Sequence, residues 1–547
     1  MQSPCVIGID YGTQSARALA VSLADGHPLG EAVYPYPHGV MTQALPDGTP
    51  LPGEGWALAH PQDYWDALTC LIPQTLAAAA LPAEAVQGIA IAATACSLLP
   101  VDASLRPLCL LPDFLHEPHA YLKLWKHHRA EPDARHMTEA ARAQGASLLD
   151  AYGGAVSPEW AMPKMLEVQR EAPRVCQEAS CFMQVSDWLD SLLTGRLTRS
   201  GGIAAFKALY DRQRGYPSRA YLDAAGNCLG TLVQEKLRGD VCWPGQRIGA
   251  LTPASAKALG LLAGTAVASG HTDAHAAALG AGVCRSGDYL VVLGTSSVTH
   301  FLHSTHRIIP GISGAIAGGL LPGLTCYTAG QPCAGDMLGW FVQSFAPTGG
   351  PEAYKTLEDA AAHLAPGENG LMALDWWNGN RSILANSRLR GALLGLTLRT
   401  SPADIYRALL ESIAFGQRMI RDQYVRHGLR PERIILCGGM AQKSPLLCQL
   451  MADVLAMPVE IAGTPQATAL GAAMCAAAAV DPRVGGCATL AGAVERLRAP
   501  IACRLTPDDA HRQPYEALFA LFARLHNLLG IDHADIMEAL AAGLRQD

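Results

Sequence analysis

Residues 5–21 read CVIGIDYGTQSARALAV, and residues 289–302 read YLVVLGTSSVTHFL. Each is an apolar run, a polar tip of the form Gly-Thr-x-Ser, and a second mostly apolar run. Short apolar runs joined by Gly, Thr and Ser predict a β-hairpin. One such tip is an ordinary turn. Two of them, one at the start and one past the middle, predict two related halves.

The surrounding pattern alternates strand and helix. His60–Leu81 reads as a helix with Pro61 in its first turn, and Ala85–Ala95 as a buried strand. Leu122–Ala130 and Pro163–Glu171 read as helices. Val267–Asp273 is a strand running into a polar tip. Ser401–Arg426 is a long amphipathic helix with Ser401 as N-cap, Pro402 at the first position and Asp404 in the first turn. Ile434–Cys437 is a strand ending on Gly438-Gly439, a helix follows from Pro445, and Thr468 opens an alanine-rich helix. This alternation predicts layered α/β domains. The polar stretch Cys284–Asp288 places the boundary near 285, giving domains 1–284 and 285–547 packed around a cleft.

Composition narrows the function. The chain has 547 residues, of which 50% are hydrophobic and only 16% charged, which predicts large buried cores. The 41 basic and 48 acidic residues give a net charge of −7, so no basic field attracts nucleic acid. The 16 cysteines include no C-x-x-C pair and read as reduced, buried thiols of a cytoplasmic protein. No basic leader and no ~20-residue apolar run predicts neither export nor a membrane span.

The tips carry the chemistry. Backbone N–H groups and hydroxyls at Gly12, Thr13, Gln14 and Ser15, and at Gly294, Thr295 and Ser296, form nests for phosphate oxygens. Asp10, just before the first tip, is placed to hold Mg²⁺. Two facing tips would grip the β- and γ-phosphates of ATP, and Gly438-Gly439 would let backbone approach the nucleotide. Together these pieces form the pattern of the fold shared by two-domain sugar kinases, actin and Hsp70, with two ribonuclease H-like domains flanking a catalytic cleft.

At this point the chain resembles the FGGY carbohydrate kinases, and within them the L-ribulokinases. The likeness runs through GIDYGTQSARALAV, EGWALAHPQDYWDAL, HAYLKLWKHH, SPEWAMPKMLE, GTSS at 294–297, AGQPCAGDMLGWFV at 329–342, DWWNGNRS at 375–382 and GALLGLTLRTSPADIYRALLE at 391–411. The resemblance implies in-line transfer of the ATP γ-phosphoryl group to a terminal hydroxyl of a ketopentose, L-ribulose above all. GHTDAH looks like the family's catalytic loop, which makes Asp273 the base; by its residue type alone it reads as a helix N-cap. Lys207 matches a sugar-contacting lysine, and Ala95 a backbone position that touches substrate. Trp125 and Lys126 would lie near the same pocket. GGMAQKSP, with Lys443, and ATALGAA match adenosine-binding segments. His275 reads as packing.

The departures concern the sugar. Ala92, Gln184 and Thr328 stand where ribulokinases carry acidic residues. Threonine is shorter than glutamate and uncharged, so it cannot accept two hydroxyl hydrogen bonds in the same way. Drift within a true L-ribulokinase and a changed substrate (D-ribulose, xylulose, ribitol or an erythritol-like polyol) both stay open. The rival from another class is a non-catalytic or chaperone-like ATPase, against which Asp10, Asp273 and Lys207 all count. The partners expected are sugar and ATP; a homodimer is left open.

Overall fold

The computed structural model describes residues 4–145, 147–346 and 350–543. The chain forms two compact units. The first comprises Met1–Cys284, Ile316–Thr325 and Gln466–Ala499; the second comprises Arg285–Ala315, Cys326–Pro465 and Pro500–Asp547.

In the first unit, β1 (Cys5–Tyr11) and β2 (Ser15–Ser22) form the hairpin read from the sequence, in antiparallel register from Cys5–Ser22 to Tyr11–Ala16. On its other edge β1 pairs in parallel with β3 (Val86–Ala93), inside a six-stranded sheet. The side chains alternate, as a strand requires. Cys5, Ile7, Ile9 and Tyr11 enter a core with Tyr64, Leu68 and Leu71, which belong to the helix Pro61–Ala79. The opposite face is covered by the alanine-rich helix Ala467–Ala479. The approach is so close that a Cβ on Gly8 would stand 1.9 Å from the Ala469 carbonyl oxygen. β4 (Leu98–Val101) and the short β5 (Leu122–Lys123) lie in a separate four-stranded sheet, with Leu98 opposite Lys123.

The second unit repeats the plan. β6 (Asp288–Leu293) and β7 (Ser297–His303) form a hairpin, and β9 (Arg433–Cys437) pairs in parallel with β6. β8 (Thr325–Gln331) joins the same seven-stranded sheet. The core gathers Tyr289, Val291 and Phe301 with Leu409, Ile413 and Ile420 of the helix Pro402–Arg426. That helix begins with a full capping box between Ser401 and Asp404, so two of its otherwise unpaired N-terminal donors are satisfied.

One expected element is absent. Leu122–Ala130 is not a helix: Leu122 and Lys123 pair with Ala59 and Leu58, and turns follow. The reason is Lys123, which is 1% exposed and reaches Glu167 at 3.5 Å. Its ammonium also lies 3.1 Å from His119 Nδ1 and 3.4 Å from His127 Nε2, inside the fold. No helix among the described residues is long and apolar enough to cross a membrane.

Candidate active site

The first tip closes tightly. The Gly12 N–H donates to the Ser15 carbonyl at 3.0 Å, and a Cβ on Gly12 would meet that oxygen at 3.1 Å. Behind it, Tyr36 N–H donates to the Gln14 carbonyl, and the Trp125 indole N–H donates to Thr13 Oγ1 at 3.2 Å. Gln14 is exposed, while Gly12, Thr13 and Ser15 are half-buried.

Asp10 is the penultimate residue of β1 and is 7% exposed. Burial pushes its carboxyl up to about 7; the charge of Asp273 adds to this and Arg17, 3.8 Å away, opposes it. Its Oδ1 is buried with no hydrogen-bond partner. An orphaned carboxylate oxygen beside a second carboxylate fits a hard divalent cation such as Mg²⁺, whose charge would relieve both penalties.

Asp273 opens the helix α3 (Asp273–Gly280), but it is not the cap. Thr272 holds that place, its hydroxyl accepting from the His275 N–H. The residue-type reading of Asp273 as an N-cap is therefore corrected: the threonine before it does that work. Asp273 Oδ1 accepts the Ala274 N–H at 2.7 Å. Burial pushes Asp273 up to about 6, against the lowering pull of that N–H and of Lys207. Lys207 is the last residue of α2 (Gly201–Lys207). Ser200, the cap of α2, donates to the Gly270 carbonyl at 2.9 Å and so ties α2 to the loop that carries Asp273. His275 is buried, stacked on His271 with ring centroids 4.3 Å apart and packed against the tilted ring of Phe206 at 4.0 Å.

Ala95 lies in the turn between β3 and β4. Cys96 beside it has φ 61°, and its thiol feels the charges of both Lys207 and Asp273. The first unit thus brings Asp10, Asp273, Lys207 and the Ala95 turn into one electrostatic neighbourhood. Trp125 and the half-buried Lys126 share the turn after β5, bonded to the first tip through Thr13.

The second tip belongs to the second unit. Its Gly294 N–H donates to the Ser296 carbonyl at 3.0 Å, and the Gly294 and Thr295 carbonyls accept the N–H groups of Gly335 and Ala334. Gly438, at φ 94°, ends β9 beside β6; a Cβ there would stand 2.5 Å from the Leu293 carbonyl oxygen. Gly439 opens a five-residue helix whose last residue, Lys443, is exposed. Thr328 lies on β8, its hydroxyl 3.4 Å from His300 Nδ1.

Sequence reasoning missed the support of this tip. Gln417 Nε2 donates to Ser297 Oγ at 2.9 Å and to Gln331 Oε1 at 2.7 Å, and Gln331 Nε2 donates to Asp375 Oδ2 at 2.7 Å. All four residues are buried. The quoted strings AGQPCAGDMLGWFV and DWWNGNRS contain Gln331 and Asp375, but no spacing tells that they meet. Ala92 is fully buried and packs with Ala276 and Ala472. Gln184 is buried at the end of the strand Cys181–Gln184.

Residues 5–280 match the N-terminal domain, and residues 289–480 the C-terminal domain, of the FGGY family of carbohydrate kinases. The chain is 40% identical to a ribulokinase of Geobacillus thermodenitrificans over 543 residues, 98% of this chain and 96% of that one. It is 38% identical to a ribulokinase of Mycolicibacterium smegmatis over 538 residues, 96% of this chain and 94% of that one. Two solved structures are similar in fold. The xylulose kinase of Rhodospirillum rubrum has TM-score 0.78 at 24% identity, covering 96% of this chain and 98% of that one. The gluconate kinase of Lactobacillus acidophilus has TM-score 0.81 at 18% identity, covering 98% and 100%.

Proposed function

The chain belongs to the FGGY family of carbohydrate kinases, and from that premise we propose that its acceptor is ribulose, phosphorylated at a terminal hydroxyl by ATP. The enzyme is an ATP-dependent sugar phosphotransferase. The observation that carries the reading is the grouping of Asp273, Lys207 and Asp10 in the first unit, in a chain so similar to named ribulokinases.

Asp273 is the general base. A carboxylate raised to about 6 is still largely ionised at neutral pH, yet basic enough to take the proton of an attacking hydroxyl. Lys207 keeps it ionised and contacts the sugar, with Ala95, Lys126 and Thr328 as further contacts. The tips Gly12–Ser15 and Gly294–Ser296 hold phosphate oxygens, and Gly438, Gly439 and Lys443 the adenosine side. Asp10 holds Mg²⁺, which supplies neutralising charge to the phosphates. Residues 1–284 then carry most of the sugar site and 285–547 the second tip and the adenosine site.

A panel of ketoses and polyols, read by coupled ADP release, tests this. ADP production that needs a sugar, with ribulose best, is the expected result; sugar-independent ADP release would turn the reading toward a chaperone-like ATPase. Thr328 favours one second reading, a different ketose or polyol. Losing a carboxylate acceptor lowers preference for the original sugar by about 10- to 100-fold. Thr328→Glu should then raise kcat/KM for L-ribulose relative to other acceptors. If wild type already prefers L-ribulose and the variant gains nothing, the departure is drift.

A further inference from the structure

Lys164 lies one turn into α1 (Ala161–Glu171) and is 0% exposed. Its neighbour on the helix, Glu167, is taken up by Lys123, His127 and Arg129. The Lys164 ammonium instead donates to two backbone carbonyls, Cys96 at 2.7 Å and Leu124 at 2.6 Å. A buried amine bonded to neutral acceptors is expensive to keep, so its placement calls for a reason. The two carbonyls supply one. Cys96 follows Ala95 in the turn between β3 and β4, and Leu124 precedes Trp125 and Lys126 in the turn after β5. No other side-chain group joins those two turns to a single atom among the hydrogen bonds of the described residues.

We propose that Lys164 is a positioning residue for the acceptor sugar: its ammonium staples the Ala95 turn to the Trp125–Lys126 turn and so fixes the wall that receives the substrate. The proposal rests on the assignment of those turns to the sugar pocket. Lys164 touches no substrate itself. Cys96 and Leu124 are 68 and 40 residues from Lys164 in sequence; the strands beside them already pair at Leu98 and Lys123, and the staple extends that link into the turns themselves.

The staple is sensitive to pH. Burial lowers Lys164 to about 8. The groups that face it are Cys96 from the first turn, Glu159 ahead of α1, Glu167 on α1, Lys123 on β5 and His127 in the turn after it, whose imidazole feels the Lys164 charge; Lys123 opposes the Lys164 charge, and Cys96, Glu159 and Glu167 favour it. A neutral amine is a weaker donor to carbonyls than an ammonium. The KM for sugar should therefore rise as pH passes through about 8, with the KM for ATP flat.

Two measurements test the proposal. In the wild type, KM for ribulose and for ATP is followed from about pH 6.5 to 9.5. In Lys164→Met, which keeps the chain length and removes the donors, the same constants are measured with hydrogen exchange of the backbone. The expected result is a sugar KM raised about tenfold, an ATP KM within about twofold, loss of the wild-type pH rise, and faster exchange confined to residues 94–98 and 122–128. Parallel changes in both KM values, or a wild-type sugar KM flat across the range, overturn it. Faster exchange in the two segments with an unchanged sugar KM also overturns it, because the turns are then not the sugar wall. Should wild type turn over no ketopentose, the functional reading fails; unaltered exchange in the two segments then sinks the staple separately. If Lys164→Met does not fold, the wild-type pH profile still decides.

Discussion

Asp10 and Asp273 are two carboxylates that fold against their own charge. Both are raised by burial, to about 7 and about 6, and the proposed mechanism uses each in its ionised form. If Asp273 is the base, as proposed, kcat/KM should climb as pH rises through about 6, where it loses its proton. Asp273→Asn keeps the size and removes the basicity, so turnover should fall by roughly 10²–10⁴-fold with ATP affinity unchanged. Near-normal turnover, or a profile flat from about pH 5 to 8, would remove Asp273 from the chemistry. For Asp10 the same shift is a statement about stability. Its folded value lies above the unfolded one near 3.8, so the favourable contribution of the protonated form is complete below about pH 4 and is lost as pH rises through about 7. Without metal and nucleotide, Asp10→Asn should therefore melt higher than wild type at pH 8, by about 2–5 °C, and the gap should close near pH 4. A thermal melt series at fixed salt reads this; equal gaps at both pH values would mean the burial cost has been misassigned. GHTDAH singles out Asp273 only through its resemblance to the family's loop; by residue type a lone aspartate before a helix reads as a cap, and the Thr272 hydroxyl bond to His275 N–H is what tells otherwise.

At the scale of elements, the hairpins were the easiest feature to read because two short apolar runs joined by a Gly-Thr-x-Ser tip are a local signal. Leu122–Ala130 was misread for the converse reason. A buried lysine breaks the apolar count, and its partner Glu167 lies 44 residues on. The relay Gln417–Gln331–Asp375 behind Ser297 was invisible because amides in a helix, a strand and a loop carry no spacing signal. It has a testable consequence. Gln417 is fully buried on the helix Pro402–Arg426 and bonds the residue that closes the second tip. Gln417→Leu leaves Ser297 Oγ and Gln331 Oε1 without that donor. Loss of a buried partner costs about 1–3 kcal/mol. If the relay sets the tip, KM for ATP should rise about fivefold or more while KM for ribulose stays within about twofold. Equal changes in both, or none in either, would make the relay a matter of core stability alone.

At the scale of the whole chain, the repeated tips made two halves legible, yet the first unit is not one continuous segment. It is completed by Ile316–Thr325 and by Gln466–Ala499. Nothing in the sequence says so. ATALGAAMCAAAA has almost no polar stripe, which marks a helix buried nearly all round but not the sheet it covers. The structure shows why these residues are small. The helix approaches Gly8 and Gly88 on adjacent strands so closely that a Cβ on Gly8 would meet the Ala469 carbonyl oxygen at 1.9 Å, and one on Gly88 the Ala476 carbonyl oxygen at 3.4 Å and, just past the helix, Val480 Cγ2 at 2.8 Å. Gly471 packs as tightly on α3, where a Cβ would stand 1.8 Å from the Ala276 carbonyl oxygen. His271 adds a bond from the other returning segment, Nε2 to the Gly319 carbonyl at 3.1 Å. Residues 1–284 alone therefore lack the cover for one face of their sheet, including the side of β1 that bears Asp10. Expressed by themselves they should retain helix and strand signal in far-UV circular dichroism, bind a hydrophobic dye, and melt without a sharp transition, as chains with unpacked cores do. In the full chain, Gly8→Ala should lower the melting temperature more than Gly12→Ala, because helix backbone rather than a turn carbonyl must move. A cooperative transition with native near-UV signal from 1–284 alone would mean that the alanine-rich helix is an accessory to the first unit and not part of its core.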